Sequence, residues 1–525
     1  MVPQAPDATA CSDPATGEVF GYSPLNTVDD LAAAVARARR AQASWALLPS
    51  RERARRILPL RDYLVAHADE LALVISRDNG KTRLDALATE ILPAAISVTY
   101  YARMAPRFLA PRRLGSATLA LANKRSTLAR LPWGVVGIIS PWNYPFGIPF
   151  HEVVMALLAG NAVILKTASE TQMVGRALAD VMGAARLPEG LFAFINMPGR
   201  VAGDAFLEAG VDKLFFTGSV PVGKTLMAKA AETLTPLSLE LGGNDPMLVC
   251  EDADLERAAA GALWAGMQNA GQSCGGVERI YVHEKVYGPF LAALKPRVEG
   301  LRVGPGASFQ SDMGAMTTAR QMETVKRHVE DALAKGATLY AKSEAPEDGK
   351  GFFLPAMVLT GVTHDMATMR EETFGPVVGV MKVRDMEEAV ALANDSNLGL
   401  TASVWSRDRR KAARLARRLQ AGAVTINDHL MSHGLPETPW GGFKQSSLGR
   451  THGQVGFEEM TQTQVLVDDL LSFAPRELWW YPQSEAVYEG IKGLMLGLYA
   501  ASVGTRLGGW LKAIKVLPRV FKAHD

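Results

Sequence analysis

The run Val135-Val136-Gly137-Ile138-Ile139, ending in Ser140-Pro141-Trp142-Asn143, decides how this chain is read. It is a short continuous apolar stretch followed by helical periodicity. Similar runs recur at Ala162–Leu165, Leu191–Ile195, Lys213–Phe216 and Met247–Cys250. Apolar runs of this length joined by helices describe a parallel sheet covered on both faces. A second alternating block has strand-like runs at Val277–Val282, Val377–Val383, Thr401–Trp405 and Ala423–Ile426, with helical segments near Thr317–Ala334, Met386–Ala393 and Asp408–Leu419. The fold class predicted is α/β, a Rossmann-like cofactor domain followed by a second α/β domain. Such sheets open a ligand crevice at the carboxyl ends of their strands.

Working outward from that block, residues 1–26 read as an arm with turns. Thr27 is placed to cap a helix whose first turn carries Asp29 and Asp30, with Leu31, Val35, Ala38 and Trp45 on one face. A helical stretch from Arg51 to about Asp78 stops near Gly80. The tail, 471–525, has Trp479-Trp480-Tyr481-Pro482, an apolar run Gly493–Gly504, and cations at Arg506, Lys512, Lys515, Arg519 and Lys522. A helix packed on its own or a neighbouring subunit is the expected use, and peripheral membrane contact is the alternative.

Composition excludes several classes. The 525 residues are 48% hydrophobic and 21% charged with a formal net charge of +2, which fits a soluble multi-domain protein and gives no basic field for nucleic acid. Three cysteines, Cys11, Cys250 and Cys274, cannot complete a disulfide framework, so a reducing compartment is expected. No metal-ligand spacing occurs, and no metal is expected. The first residues carry no secretory signal pattern, and no apolar stretch reaches the roughly 18 residues of a membrane span. A cytoplasmic location is expected, with attachment to a membrane through the tail as the alternative.

The chemistry lies in Asn269-Ala270-Gly271-Gln272-Ser273-Cys274, where small neighbours leave room at a sulfur. Alone, a free cysteine is usually an inert core residue. But Asn269-x-Gly-Gln-x-Cys274 resembles the nucleophile signature of the aldehyde dehydrogenase superfamily. Leu239-Glu240-Leu241-Gly242-Gly243-Asn244 is similar to its general-base segment, and Ser140-Pro141-Trp142-Asn143-Tyr144-Pro145 to its oxyanion segment. Phe216-Thr217-Gly218-Ser219, with Gly223, resembles its cofactor turn, and Glu371-Glu372-Thr373-Phe374-Gly375-Pro376 its nicotinamide-side motif. The motifs stand in the family's order over roughly 13–470.

The resemblance implies an NAD(P)-dependent oxidation of an aldehyde to an acid. Cys274 is the implied nucleophile, Asn143 the oxyanion donor and Glu240 the general base. Losing one oxyanion donor costs roughly 3–4 kcal/mol in comparable sites. A Glu among Leu239, Leu241 and glycines should have a raised pKa. Cofactor contacts are expected at Ser140, Trp142, Lys166, Ser169, Gly218, Ser219, Gly223, Leu241, Glu372 and Phe374. NAD or NADP is expected. Ser169 stands where many NAD-preferring members carry a glutamate, so NADP should be accepted, with an NADP preference left open.

The resemblance also implies domains: 1–117 with 134–245 for the cofactor, 246–442 for catalysis, 118–133 with 458–470 for oligomerisation, and 471–525 as a helical tail. Thr118–Asn123 and Arg125–Leu131 are expected to pair as a hairpin, in a homodimer or homotetramer. Related succinate-semialdehyde dehydrogenases share several features, but one group has an Arg where His151 stands here, and imidazole is a poorer carboxylate anchor. Tyr144, His151, Leu430, Met431 and His433 are the expected tunnel wall, favouring an apolar aldehyde of medium or long chain. Succinic semialdehyde is the alternative substrate. An inactive member with a structural or membrane-binding role is the alternative of another class. An acylating enzyme would lack Glu240. The family usually has Gly at the Ser447 position, and a positive φ there would cost Ser about 1 kcal/mol.

Overall fold

The computed structural model describes residues 7–347 and 349–522. The N-terminal arm reading therefore lies partly outside the described residues. From residue 7 onward it is corrected: Ala8–Ser12 and Val19–Pro24 pair as an antiparallel hairpin. Thr27 caps the helix Val28–Ala46 in a reciprocal box with Asp30. The long helical stretch predicted next is three helices, Ser50–Ile57, Pro59–Ala66 and Ala68–Asn79. Pro59 has no N–H to continue the first, and Gly80 at φ 99 closes the third.

The first sheet has the order Ser447–Leu448, Leu237–Glu240, Lys213–Thr217, Val135–Ile139, Ala162–Lys166, Phe192–Phe194, all parallel except the first pair. The chain runs outward from Val135–Ile139 in one direction, then returns to its other side at Lys213–Thr217. That reversal is a topological switch point, where the loops from two neighbouring strands diverge and leave a crevice. Ser140–Asn143 and Gly218–Ser219 leave those two strands side by side.

Met247–Cys250 does not belong with this sheet. Its strand, Asp245–Val249, is central in a second sheet, between Val277–His283 and Thr401–Trp405. The full order there is Thr338–Lys342, Met357–Thr360, Val377–Val383, Val277–His283, Asp245–Val249, Thr401–Trp405, Ala423–Ile426, antiparallel only at the first pair. Each sheet has its own apolar core, and the two cores contain respectively Phe146, Phe150, Phe206 and Phe215, and Ile280, Tyr281, Phe290 and Val380.

Ala110–Leu131 with residues 463–522 forms a second compact unit. Its sheet has the order Thr461–Asp469, Lys124–Pro132, Arg112–Arg113. The expected hairpin is corrected: Lys124–Pro132 pairs with Arg112–Arg113, because Leu119–Leu121 coil into a 3₁₀ turn capped by the Thr118 hydroxyl. Helices Glu485–Tyr499 and Val503–Val516 follow. Ser447 is likewise not strained. It sits in a strand paired with Glu240, and the positive φ values of that loop fall on Lys444 at 54° and Gly449 at 97°.

Candidate active site

Asn143 lies on the loop after Val135–Ile139, held from below. Its carbonyl accepts from the Lys81 ammonium at 2.8 Å and from the Asn269 amide at 2.8 Å. Lys81 also pairs with Glu90 at 2.7 Å, both side chains fully buried. Glu90 in turn accepts from the N–H groups of Phe146 and Gly147 at 2.8 and 3.0 Å, the open start of the helix Gly147–Ala159. The Asn143 side-chain amide donates to the Gln272 carbonyl at 3.2 Å, in the nucleophile loop.

That loop is bent hard. Asn269, Ala270 and Gly271 take φ of 54°, 53° and 71°, ending the helical stretch from Leu255. Left-handed conformations at non-glycine residues cost of order 1–3 kcal/mol and persist where the surroundings over-determine them. Here Gly271 lies so close to Gly375 that a Cβ would sit 2.0 Å from its carbonyl oxygen. The Gln272 side chain accepts from Thr317 N–H at 2.9 Å and donates to the Asn269 carbonyl at 3.0 Å. Cys274 follows, half-buried, just before the strand Val277–His283. Gly243 approaches it so closely that a Cβ would meet the Cys274 carbonyl at 2.1 Å. Burial, then Glu372, Asp245 and Glu240, push the Cys274 thiol well up, so sulfur rests as a thiol.

Glu240 ends the strand Leu237–Glu240, opposite Thr217. It is 6% exposed, and one carboxylate oxygen has no hydrogen-bond partner among the described residues. Burial first, and Glu152 second, push it well above the ordinary carboxylate range. A small cavity of about 20 Å³ lies against it, lined by Cys274, Thr217, Leu241, Glu152, His433, Trp440 and His452 among others. That is room for about one water. Glu152 stands on the wholly buried helix Gly147–Ala159, and burial pushes it up to about 8.

On its other side Cys274 lines a larger cleft of about 480 Å³ at the switch point. Asn143, Trp142, Gly218, Ser219, Leu241, Glu372 and Phe374 are part of its wall. The Glu372 carboxylate accepts from Gly243 N–H at 2.9 Å, and Phe374 meets Trp142 edge-on at 5.5 Å. Glu278 fixes that segment by accepting from Thr373 and Phe374 N–H at 3.0 and 2.7 Å. The helix Val220–Thr233 starts at Ser219 without a side-chain cap, so its first N–H groups remain open to an anion. The Ser140 and Thr217 hydroxyls, both buried, have no partner among the described residues. Open N–H groups and the orphan Thr217 hydroxyl around one cleft fit a dinucleotide. Gly223 packs within the helix against Leu241. Lys166 is 4% exposed at the end of its strand, its ammonium pushed down by burial and up by Glu170. Glu170 lines the cleft and Ser169, starting the adjoining 3₁₀ turn, does not.

The sequence model of the aldehyde dehydrogenase family matches residues 2–466. The chain belongs to the aldehyde dehydrogenase family. Membership makes it an NAD(P)-dependent aldehyde oxidoreductase, as the motif resemblance implied. A Methylomonas protein named 4,4'-diapolycopene aldehyde oxidase is 40% identical over 490 residues, 93% of this chain and 91% of that protein. A Mycolicibacterium smegmatis protein, provisionally named an NADP(+) succinate-semialdehyde dehydrogenase, is 40% identical over 453 residues, 86% of this chain and 87% of its own. The crystal structure of an NAD-dependent aldehyde dehydrogenase from Sinorhizobium meliloti has a TM-score of 0.86 at 35% identity, covering 90% of this chain and 93% of that one.

In this aldehyde dehydrogenase the five tunnel residues are not gathered in one wall. His433 lines the cavity beside Glu240. His151 lies behind it, 1% exposed, its Nδ1 2.8 Å from His452 Nε2 and 3.2 Å from the Ser97 hydroxyl. Tyr144 turns its hydroxyl to Gln268 at 2.5 Å, under the nucleophile loop. Leu430, at φ 67, packs toward the second core, and Met431 is 44% exposed. Sequence reasoning missed Glu152, His452 and Trp440. Glu152 left one trace, a carboxyl beside His151 at the start of the apolar run Val153–Ala159. Among the described residues there is no cluster of three His, Cys, Asp or Glu able to hold a metal.

Proposed function

We propose that the enzyme oxidises an apolar aldehyde of medium or long chain to its carboxylic acid through a thioester on Cys274. The observation that carries this is the position of Cys274 as a shared wall, with Asn143, Glu372 and Phe374 on one side and Glu240 on the other. The sulfur bonds the aldehyde carbon as its proton passes toward Glu240, whose raised pKa brings it nearer that of the thiol. The oxyanion formed is held by the Asn143 side-chain amide and the Cys274 N–H. Bound in the large cleft, NAD or NADP supplies the two-electron hydride acceptor. Once the thiol proton has passed from Glu240 to solvent, the Glu240 carboxylate takes a proton from the water that attacks the thioester carbon; the carbon–sulfur bond breaks, the departing sulfur takes that proton back as the thiol, and the carboxylic acid is released.

Ser140, Trp142, Lys166, Ser169, Gly218, Ser219, Gly223, Leu241, Glu372 and Phe374 are the residues assigned to the cofactor. Residues 1–117 with 134–245 are the cofactor domain, and 246–442 the catalytic domain. The segments 118–133 and 458–470 are the oligomerisation element of a homodimer or homotetramer, which fits the exposed Val465, Leu466 and Val467. The tail from 471 makes peripheral membrane contact.

A substrate without a carboxylate is supported by the residues beside Glu240, which include no Lys or Arg, and by burial that holds His433 and His452 neutral. The name of the Methylomonas relative agrees with it. Succinic semialdehyde is the second reading, favoured by the name of the Mycolicibacterium relative. The intact Cys274, Glu240 and Asn143 speak against an inactive member. A panel of aldehydes with NAD and NADP, followed at the reduced-nicotinamide absorbance, tests all three. Turnover of long apolar aldehydes, none with Cys274→Ala, and a single burst with Glu240→Gln are expected. Preference for succinic semialdehyde would overturn the substrate class, and full activity of Cys274→Ala the mechanism.

A further inference from the structure

The two tail helices are packed inside out. Glu485–Tyr499 and Val503–Val516 meet through Gly490, Gly493 and Gly497 on one side and Gly509 and Ala513 on the other. The approach is backbone to backbone: a Cβ on Gly509 would lie 2.5 Å from the Gly497 nitrogen, and one on Gly493 2.7 Å from the Gly509 oxygen. The large apolar side chains face outward instead. Met495, Tyr499, Val503, Leu507, Leu511 and Ile514 are each 56–71% exposed. In water a helical hairpin gains by burying its leucines. A glycine seam with leucines outside is how helices pack where the surroundings are as apolar as leucine itself.

Charge divides the hairpin along its length. Gly493–Thr505, which contains the turn, has no charged residue. Lys492 and Lys512 stand roughly 12–15 Å from the turn at the helical rise, with Lys515 and Lys522 beyond. That distance is about the hydrocarbon depth of one leaflet, half of roughly 30 Å. Arg506, nearer the turn, is not left bare: its guanidinium donates to the Gly497 and Leu498 carbonyls at 3.3 and 3.1 Å, the open end of the first helix. Among the described residues no helix is long and apolar enough to cross a membrane.

We infer that this hairpin enters one leaflet of a lipid bilayer turn-first, with Lys492, Lys512 and Lys515 at the level of anionic headgroups. It deepens the membrane part of the proposed function, and none of its support comes from the chemistry at Cys274. Glu489 pairs with Lys492 and Lys512 at 3.4 and 2.7 Å, and with Lys515 beyond them this level keeps a net positive charge that matches anionic headgroups, whereas the buried centre of a protein interface is poor in lysine.

Flotation of the full-length enzyme with vesicles tests it. The enzyme should float with phosphatidylcholine vesicles containing phosphatidylglycerol, and at least about tenfold less with phosphatidylcholine alone. Leu507→Asp with Leu511→Asp should abolish flotation on both, and Lys512→Gln with Lys515→Gln should lower it on the anionic vesicles only. Both variants should keep the wild-type rate on a short water-soluble aldehyde, which shows that they fold. The inference is overturned if wild type floats with neither vesicle, or if Leu507→Asp with Leu511→Asp changes the subunit number in light scattering, which would make the face a contact between copies. An enzyme that floats but oxidises no aldehyde would strike the proposed activity and leave the hairpin standing.

Discussion

The Lys81 ammonium lies 2.8 Å from the Asn143 main-chain oxygen and 2.7 Å from the Glu90 carboxylate, with no exposure to solvent. One buried cation thus ties the oxyanion loop to the π-helical turn Leu87–Ile91. Removing it leaves Glu90 charged and unpaired, which typically destabilises by about 3–5 kcal/mol. Lys81→Met should show that loss in denaturant unfolding, and Lys81→Met with Glu90→Gln should recover part of it. Both should lower kcat, because the Asn143 carbonyl has lost one of its anchors. Wild-type stability in the single variant would refute the account.

Asn143→Ala removes a donor from the oxyanion while sparing the main-chain contacts with Lys81 and Asn269. A fall in kcat of about 10²–10³ is expected, with cofactor binding little changed. Steady-state kinetics beside a cofactor titration separate the two. An unchanged kcat would remove Asn143 from the chemistry.

Glu152 adds to the rise that burial gives the Glu240 pKa. Its charge raises the Glu240 pKa, so Glu152→Gln should let Glu240 ionise at lower pH and move the rising limb of the pH–rate profile acidward. Glu152 itself is raised from 4.5 to about 8. Its contribution to stability is full below the unfolded value and lost as pH climbs through about 8. Glu152→Gln should therefore gain stability relative to wild type progressively as pH rises from about 4.5 to about 8, and hold that gain above. Thermal unfolding across that window checks the sign, and parallel curves would contradict it.

Cofactor choice should turn on residues 169 and 170. Glu170 borders the cleft. Glu170→Gln should raise kcat/KM for NADP relative to NAD, and Ser169→Glu should lower it about tenfold, the worth of a ~1.4 kcal/mol charge contact. Equal ratios in all three proteins would place the ribose elsewhere.

The strands Val135–Ile139, Val377–Val383 and Thr401–Trp405 are legible because burial makes them largely apolar runs, and the partly buried edge strand Ala423–Ile426 because Val424 and Ile426 still mark it. Leu237–Glu240 and Thr338–Lys342 escape because each is short and mixed in polarity. The motifs carrying Cys274, Glu240 and Asn143 are local words in the sequence. Lys81, Glu90 and Glu152 are not. Lys81 is meaningful only beside a carbonyl 62 residues away, a contact that no periodicity encodes.

The cavity beside Glu240, about 20 Å³, has a last consequence. On the proposed mechanism, whatever attacks the acyl carbon from that side must first fit there. Water fits that volume, while a carrier thiol does not. Large acyl acceptors are then turned away by volume before any difference in nucleophilicity counts, which favours the free acid as product.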